Sequence, residues 1–387
     1  MQRKKFLKLM SGCLILMTVL ALNTTTLLAQ PFELQSKAGI LIDAATGEVL
    51  YEKNIHESLP PASVTKIMTM LLTMEALDTN RITLNDKVVV SERASSMGGT
   101  QLYLEPGEVK TVEELMKGIA IRSANDACVA IGEHISGSED AFVQKMNERA
   151  KELGMKNTTF INTNGLPAEG HVTSVYDIAL MSKELLKYPD VQKWLTTWMD
   201  TVVVGKREST QELVNTNRLI RTYKGATGLK TGFTQAALHC LSASATRGNN
   251  TFIAVVLAAP TSQVRFSEAA QLLDFGFANY NTIEIAERDV FIGNINIQKG
   301  QESIVRGVAK EDLKVLVKKG EEDQVQKEVI LPQFANAPVL KGDKMGEVIA
   351  TINGKEVGRV DIISESDIEK ANVVNMFTKM IRSVVGE

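Results

Sequence analysis

The sequence predicts an α/β fold of the α+β type: an antiparallel sheet with helices packed on it, then a small all-β module and a terminal amphipathic helix. Three observations lead there. Strand-like runs stand at both ends of the first 280 residues and helical period fills the middle, which suggests one sheet closed by both chain ends. Between 281 and 364, short Val/Ile alternations are punctuated by Lys299-Gly300, Lys319-Gly320, Lys341-Gly342 and the hairpin signal Asn353-Gly354. From Ser366 the period is helical again, with Val373, Phe377, Met380, Ile381 and Val384 on one side and Lys370, Asn375, Lys379 and Arg382 toward the other.

The chain has 387 residues, which at roughly 100 to 200 per domain suits two or three domains. Arg3, Lys4, Lys5 and Lys8 precede an uncharged apolar run from Leu9 to Leu22, with small residues near Ala29. That is the pattern of a cleaved secretory signal over 1–29. A membrane anchor is the competing reading, but the run is shorter than the roughly 20 apolar residues needed to span. The main domain is placed at 30–280, the β module at 281–364 and the amphipathic helix at 365–387. That helix suits a membrane interface or docking on the β module about equally.

Within the main domain, Ala38–Asp43 and Glu48–Tyr51 flank a turn at Ala44–Gly47 and read as a hairpin. Pro60-Pro61 opens an apolar helix to about Leu77, and Thr111-Val112-Glu113-Glu114 is a capping box leading a helix to about Ile121. Further helices are expected near 126–135, 138–153 and 174–187. Strands return at Leu229–Thr234, Leu238–Thr246 and Thr251–Ala259, with Arg247-Gly248-Asn249-Asn250 as a turn, and a helix over 262–277 closes the domain. The run Phe252–Leu257 is continuously apolar and should be covered on both faces.

Composition excludes several function classes. Lys plus Arg number 43 against 46 Asp plus Glu, and the sequence pI is about 6.0, without the basic surplus that nucleic acid demands. Only 4 His and 3 Cys are present, with neither His-Glu-x-x-His nor Cys-x-x-Cys, so no metal is expected. Cys128 and Cys240 sit in apolar surroundings and read as two buried thiols rather than a bridge.

Between Glu57 and Glu75 the only charged side chain is Lys66, within Pro61-Ala62-Ser63-Val64-Thr65-Lys66. A helix this apolar is buried, and burial disfavours an ammonium, so the lysine must find partners or lose its proton. Ser63 lies three residues back on the same face, where a deprotonated amine can take its hydroxyl proton. It also sits in the first turn after two prolines, where free backbone N–H groups can face an oxyanion. A bare Ser-x-x-Lys is usually incidental. Ser123-Ala124-Asn125 alone reads as a helix cap, and Lys230-Thr231-Gly232 alone as a strand end. Together, once each and in this order, they match the signature of penicillin-binding proteins and class A β-lactamases.

With Tyr103-Leu104-Glu105-Pro106-Gly107 and Asn215-Thr216-Asn217-Arg218-Leu219 added, the chain from about Leu34 through Asn372 resembles the low-molecular-mass serine D-Ala-D-Ala carboxypeptidases of peptidoglycan metabolism, the S11-like group. The resemblance implies a β-lactamase-like, penicillin-binding catalytic domain, a C-terminal β-sandwich and often a membrane-associating tail. It implies Ser63 as acylated nucleophile, Lys66 as general base and Ser123 as proton relay to the leaving D-alanine. Asn125 would hold the peptide amide, Lys230 and Thr231 the terminal carboxylate, and Gly232 would admit the peptide along the strand edge. The oxyanion hole would be the backbone N–H groups of Ser63 and Phe233. The resemblance calls for no organic cofactor. Two departures concern pocket shape: Leu238 follows Ala237 where the family commonly has Ala-Gly, and Thr227 stands where an acid is common.

Three nearby residues are weighed as structural. His239 lacks a convincing triad partner, Arg265 could add positive charge near the carboxylate pocket but reads rather as a solvated helix arginine, and Asp126 as a first-turn acid. The expected partners are stem peptides ending in D-Ala-D-Ala, β-lactams as covalent inhibitors, and a membrane surface through the tail; the expected location is the outer face of the cytoplasmic membrane, periplasm or wall. The alternatives are a class A-like β-lactamase and a non-catalytic penicillin- or wall-binding protein. Against the first, no Glu-x-x-x-Asn occurs between Asn125 and Lys230.

Overall fold

The computed structural model describes residues 32–372. The signal expected at 1–29 lies outside them. Ala38–Asp43 and Val49–Lys53 pair antiparallel, as the hairpin reading requires. Ala38–Asp43 then pairs with Asn250–Ala259, from Ala38 opposite Leu257 to Asp43 opposite Phe252, so the two ends of the domain close one sheet. The five strands run in the order Val49–Lys53, Ala38–Asp43, Asn250–Ala259, Leu238–Arg247, Ala226–Thr234, which leaves the last as an edge.

The central strand is buried on both faces because alternate residues serve different partners. Ile253, Val255 and Leu257 join a core with Ile178 and Leu185 of the Val175–Leu185 helix and with Ile67, Met68 and Leu71 of the Lys66–Asp78 helix. On the other face Phe252 meets Phe277 edge-on at 4.9 Å, and Gly276 brings the Ser262–Asn279 helix down onto Phe252 and Leu41. The helical lobe adds Asn125–Ser136 and Glu139–Glu152. The Thr111 capping box forms, its hydroxyl accepting from the Glu114 N–H. The helix behind it is α over Val112–Lys117 and continues as a π turn over Gly118–Arg122, so it ends close to the expected Ile121. Two antiparallel pairs went unforeseen, Lys87–Val89 with Val109–Thr111 and Met199–Val204 with Ser209–Val214, being short or mostly exposed and so weakly patterned. Cys128 and Cys240 are buried free thiols, as expected.

Tyr280–Ala286 follows the Ser262–Asn279 helix directly and pairs with Leu313–Lys318. This two-stranded sheet faces a six-stranded one, and Ile285, Val315 and Val317 share a core with Val348, Val360 and Ile362, making a sandwich. Asn353 (φ 51°) and Gly354 (φ 75°) form the predicted hairpin turn. The terminal helix does not begin at Ser366. Residues 366–372 are non-helical: Ile368 bridges Val339 and is buried with Ile295, and Lys370 bridges Gly300. Burying Ile368 in the sandwich takes precedence over an isolated helical turn, which lacks such burial. The rest of that helix lies outside the described residues. No helix among those described is long and apolar enough to cross a membrane.

We predict that Phe252→Ala, which empties the contact between sheet and closing helix, lowers the unfolding free energy by about 3–5 kcal/mol. Denaturant unfolding measures this; a loss under about 1 kcal/mol contradicts the two-faced core.

Candidate active site

Ala62–Thr65 is a 3₁₀ turn that passes into the Lys66–Asp78 helix. Three residues per turn eclipses positions i and i+3, so Ser63 stands directly over Lys66. Lys66 Nζ lies 3.0 Å from Ser63 Oγ, 2.7 Å from Asn125 Oδ1 and 2.6 Å from the Asn164 carbonyl. Lys66 is fully buried and hydrogen-bonds no carboxylate. Burial lowers its pKa to about 8, against weaker support for the cation from Cys128 and Asp126. A neutral amine has two N–H bonds, enough for Asn125 and Asn164, and a lone pair left for the Ser63 hydroxyl.

Ser123 ends the π turn in a left-handed conformation (φ 70°), two residues before Asn125 opens its helix. It is not among the hydrogen-bond partners of Lys66. Asn125 is more committed than its expected role suggests. Its Oδ1 accepts from Lys66 and its Nδ2 donates to the Gly98 carbonyl at 2.7 Å.

The edge strand Ala226–Thr234 carries the third motif. A Cβ on Gly232 would lie 3.0 Å from Ser63 N and 3.1 Å from the Pro61 carbonyl, so a side chain there would push the strand and the serine turn apart by a few tenths of an ångström. Lys230 is buried, donates to the Thr231 carbonyl at 3.0 Å, and is held well below its usual pKa, first by burial and then by the Lys66 charge. Thr231 Oγ1 donates to Thr216 Oγ1 at 2.7 Å. Phe233 is exposed and packs on the His239 ring with centroids 4.5 Å apart.

Arg265 corrects its reading as a solvated residue. It is buried, and its Nη1 donates to the Gly232 carbonyl at 2.8 Å, tying the last helix to the third motif; burial lowers its pKa to about 10. Arg122, Arg218, Arg265, Trp198 and Thr216 line a cleft of about 510 Å³ with no acid in its wall. It therefore offers cationic surroundings beside Thr231. Asp126 is likewise more than a first-turn acid. It is buried and accepts from the N–H groups of Leu102 and Leu104, either side of left-handed Tyr103, and so pins the loop that carries Gly98. Leu238 takes φ 55°, a conformation glycine enters freely, and Thr227 hydrogen-bonds Ser244 at 2.8 Å.

Sequence reasoning missed the loop that carries Asn164. Asn162 Oδ1 accepts from the N–H groups of Asn164 and Gly165, and Asn164 Oδ1 accepts from Leu166 N–H. Gly165 (φ 87°) seats the loop against the serine turn, since a Cβ there would lie 1.9 Å from the Ala62 carbonyl. The run Asn162-Thr163-Asn164-Gly165 is a turn signal that could have drawn attention to it. Among the described residues no three His, Cys, Asp or Glu converge as a metal site requires.

Residues 24–261 match the family model described as D-alanyl-D-alanine carboxypeptidase. The chain belongs to that family. Residues 280–370 of this family member match the model for the penicillin-binding protein 5 C-terminal domain. The chain is 46% identical over 349 residues to the D-alanyl-D-alanine carboxypeptidase DacF of Bacillus subtilis (strain 168), covering 89% of each. Among solved structures it is similar to penicillin-binding protein 5 from Haemophilus influenzae, with TM-score 0.72 and 29% identity over 88% of this chain and 100% of that one. It is also similar to penicillin-binding protein D2 from Listeria monocytogenes in its ampicillin-bound form, with TM-score 0.56 and 32% identity over 64% of this chain and 99% of that one.

We predict that the rate of Ser63 acylation by penicillin rises with pH through about 8, because the reactive amine is the one that has lost its proton. Lys66→Arg, which cannot lose a proton, lowers that rate by about 10²–10⁴-fold. Stopped-flow acylation between pH 6 and 10 checks both, and a flat profile contradicts the assignment.

Proposed function

We propose that this carboxypeptidase removes the terminal D-alanine from peptidoglycan stem peptides through an acyl-enzyme on Ser63, with Lys66 as general base. The observation that supports it is the buried amine, depressed to about 8 and 3.0 Å from the serine hydroxyl. Lys66 takes the Ser63 proton as Oγ attacks the carbonyl of the penultimate D-alanine. The N–H groups of Ser63 and Phe233 receive the oxyanion. The C–N bond breaks, and the proton reaches the departing D-alanine amine through Ser123. Water then attacks the ester, its proton returns to Ser63, and the shortened peptide leaves.

The peptide adds along the exposed edge of Ala226–Thr234, with its terminal carboxylate at Thr231 and Lys230, toward the arginine-lined cleft. An arriving carboxylate restores the preference of Lys230 for its charged form. Asn125, already bound to Lys66 through Oδ1 and to Gly98 through one Nδ2 hydrogen, meets the peptide amide with its second Nδ2 hydrogen. A β-lactam undergoes the same attack, but its opened ring stays attached and inhibits. The β-lactamase alternative needs a carboxylate-activated water; the loop that reaches Lys66, Asn162–Leu166, carries no acid.

We place the catalytic domain at 30–280, the sandwich at 281–364 with the segment through Lys370 added to it by the Ile368 and Lys370 bridges, and the protein outside the cytoplasm, exported by 1–29. The apolar stripe Val373–Val384 offers a peripheral membrane contact.

Incubation of the mature protein with a peptide ending in D-Ala-D-Ala should release free D-alanine, and Ser63→Ala should abolish release. Intact mass after penicillin should show an adduct on the wild type and none on Ser63→Ala. Rapid nitrocefin turnover would instead support the β-lactamase.

A further inference from the structure

Ala62, immediately before Ser63, has φ 48° without being glycine. A left-handed alanine costs roughly 1–2 kcal/mol, so neighbouring contacts must hold it. Its carbonyl accepts from Thr65 Oγ1 at 2.9 Å, and Thr65 Oγ1 lies 2.9 Å from His171 Nε2. On the far side of the ring, Ile161 N–H donates to His171 Nδ1 at 3.2 Å. A backbone N–H only donates, so Nδ1 is unprotonated and the ring hydrogen is on Nε2. The chain of bonds therefore runs one way, from Ile161 N–H through the imidazole and the threonine hydroxyl to the Ala62 carbonyl. Thr65 and His171 are both buried. Burial, with the Lys66 charge adding to it, holds the His171 pKa down to about 4, so the ring stays neutral at working pH.

The consequence follows from peptide planarity. The Ala62 carbonyl and the Ser63 N–H belong to one rigid unit and point in opposite directions, so gripping the oxygen aims the N–H. The proximity of Gly232 to Ser63 N places the third motif beside that N–H. We propose that His171 is a positioning residue: through Thr65 it fixes the Ala62–Ser63 peptide so that the Ser63 N–H meets the developing oxyanion. This rests on Ser63 being the nucleophile. His171 touches no reacting atom. It also meets Phe160 edge-on at 6.0 Å and lines a cavity of about 220 Å³ with Pro61, Ala62 and Leu166. A packing role alone is therefore the rival explanation.

The variants separate the two. His171→Gln and Thr65→Ser keep the links: the glutamine amide N–H can donate to Thr65 and its oxygen accept from Ile161, and the serine hydroxyl still reaches Ala62, whereas His171→Leu and Thr65→Val keep bulk and cut the chain. In the mature protein, His171→Leu and Thr65→Val should each slow Ser63 acylation by penicillin and lower kcat by about 10–10³-fold, near the loss of one oxyanion donor, with KM little changed. Affinity for a peptide boronic acid, whose serine adduct carries the tetrahedral oxygen, should fall in parallel. Binding of the uncleaved peptide to the same variants carrying Ser63→Ala should not. The Gln and Ser variants should recover most of the rate, and His171→Leu with Thr65→Val should be no worse than either alone, because both break one chain. If His171→Leu does not fold, Thr65→Val against Thr65→Ser decides. Folded cutting variants that acylate at the wild-type rate, or a Gln variant as slow as Leu, overturn the proposal. A wild type that penicillin modifies elsewhere than Ser63 overturns the underlying reading instead.

Discussion

A primary amine sealed in the interior with only neutral oxygens as hydrogen-bond partners is the constraint on which the rest of the site depends. Three dipoles from Ser63, Asn125 and Asn164 do not replace the hydration that Lys66 gives up, and its proton becomes weakly held. A carboxylate in the same shell would secure the proton and leave no base. Asp126, next to Asn125, does not take that place, because its oxygens are bound by backbone N–H groups of the Leu102–Leu104 loop and of Ala127. The absence of other charge between Glu57 and Glu75 serves the same end.

The serine turn is held between two glycines. Gly165 presses one loop against the Ala62 carbonyl, and Gly232 brings the edge strand against Ser63 N. A side chain is excluded at Gly165 and crowded at Gly232, so a short strained turn is fixed from two directions while Ser63 remains half-buried. Closure of the sheet by both ends of the domain puts the third motif on the outermost strand, where an extended peptide can lie. Arg265 reaches across from the last helix to anchor that strand through the Gly232 carbonyl.

Much of this was legible in the chain. The apolar run Phe252–Leu257 announced a strand covered twice, Thr111-x-x-Glu114 a capped helix, and Asn353-Gly354 a tight hairpin, since each is a local pattern with a local cause. The pairing of Ser63 with Lys66 was legible too, because three residues of helix always bring two side chains together. Arg265 and Asp126 were misjudged because their partners lie 33 and 22–24 residues away in sequence. No local pattern marks such contacts. Ser366–Asn372 failed for a related reason: the apolar stripe that suggested a helix starts at Val373, and Ile368 before it found a place in the sandwich.

The sequence by itself determined the family and the class of chemistry, because Ser63-x-x-Lys66, Ser123-Ala124-Asn125 and Lys230-Thr231-Gly232 occur once each and in order, and three residues of helix already put Ser63 within reach of Lys66. Only the tertiary structure decided which oxygens surround the amine, which carbonyl Arg265 holds and how the Ala62–Ser63 peptide is aimed. Those depend on loops and strands far apart in the chain meeting within a few ångströms, and burial and hydrogen bonding are properties of that meeting rather than of any one segment.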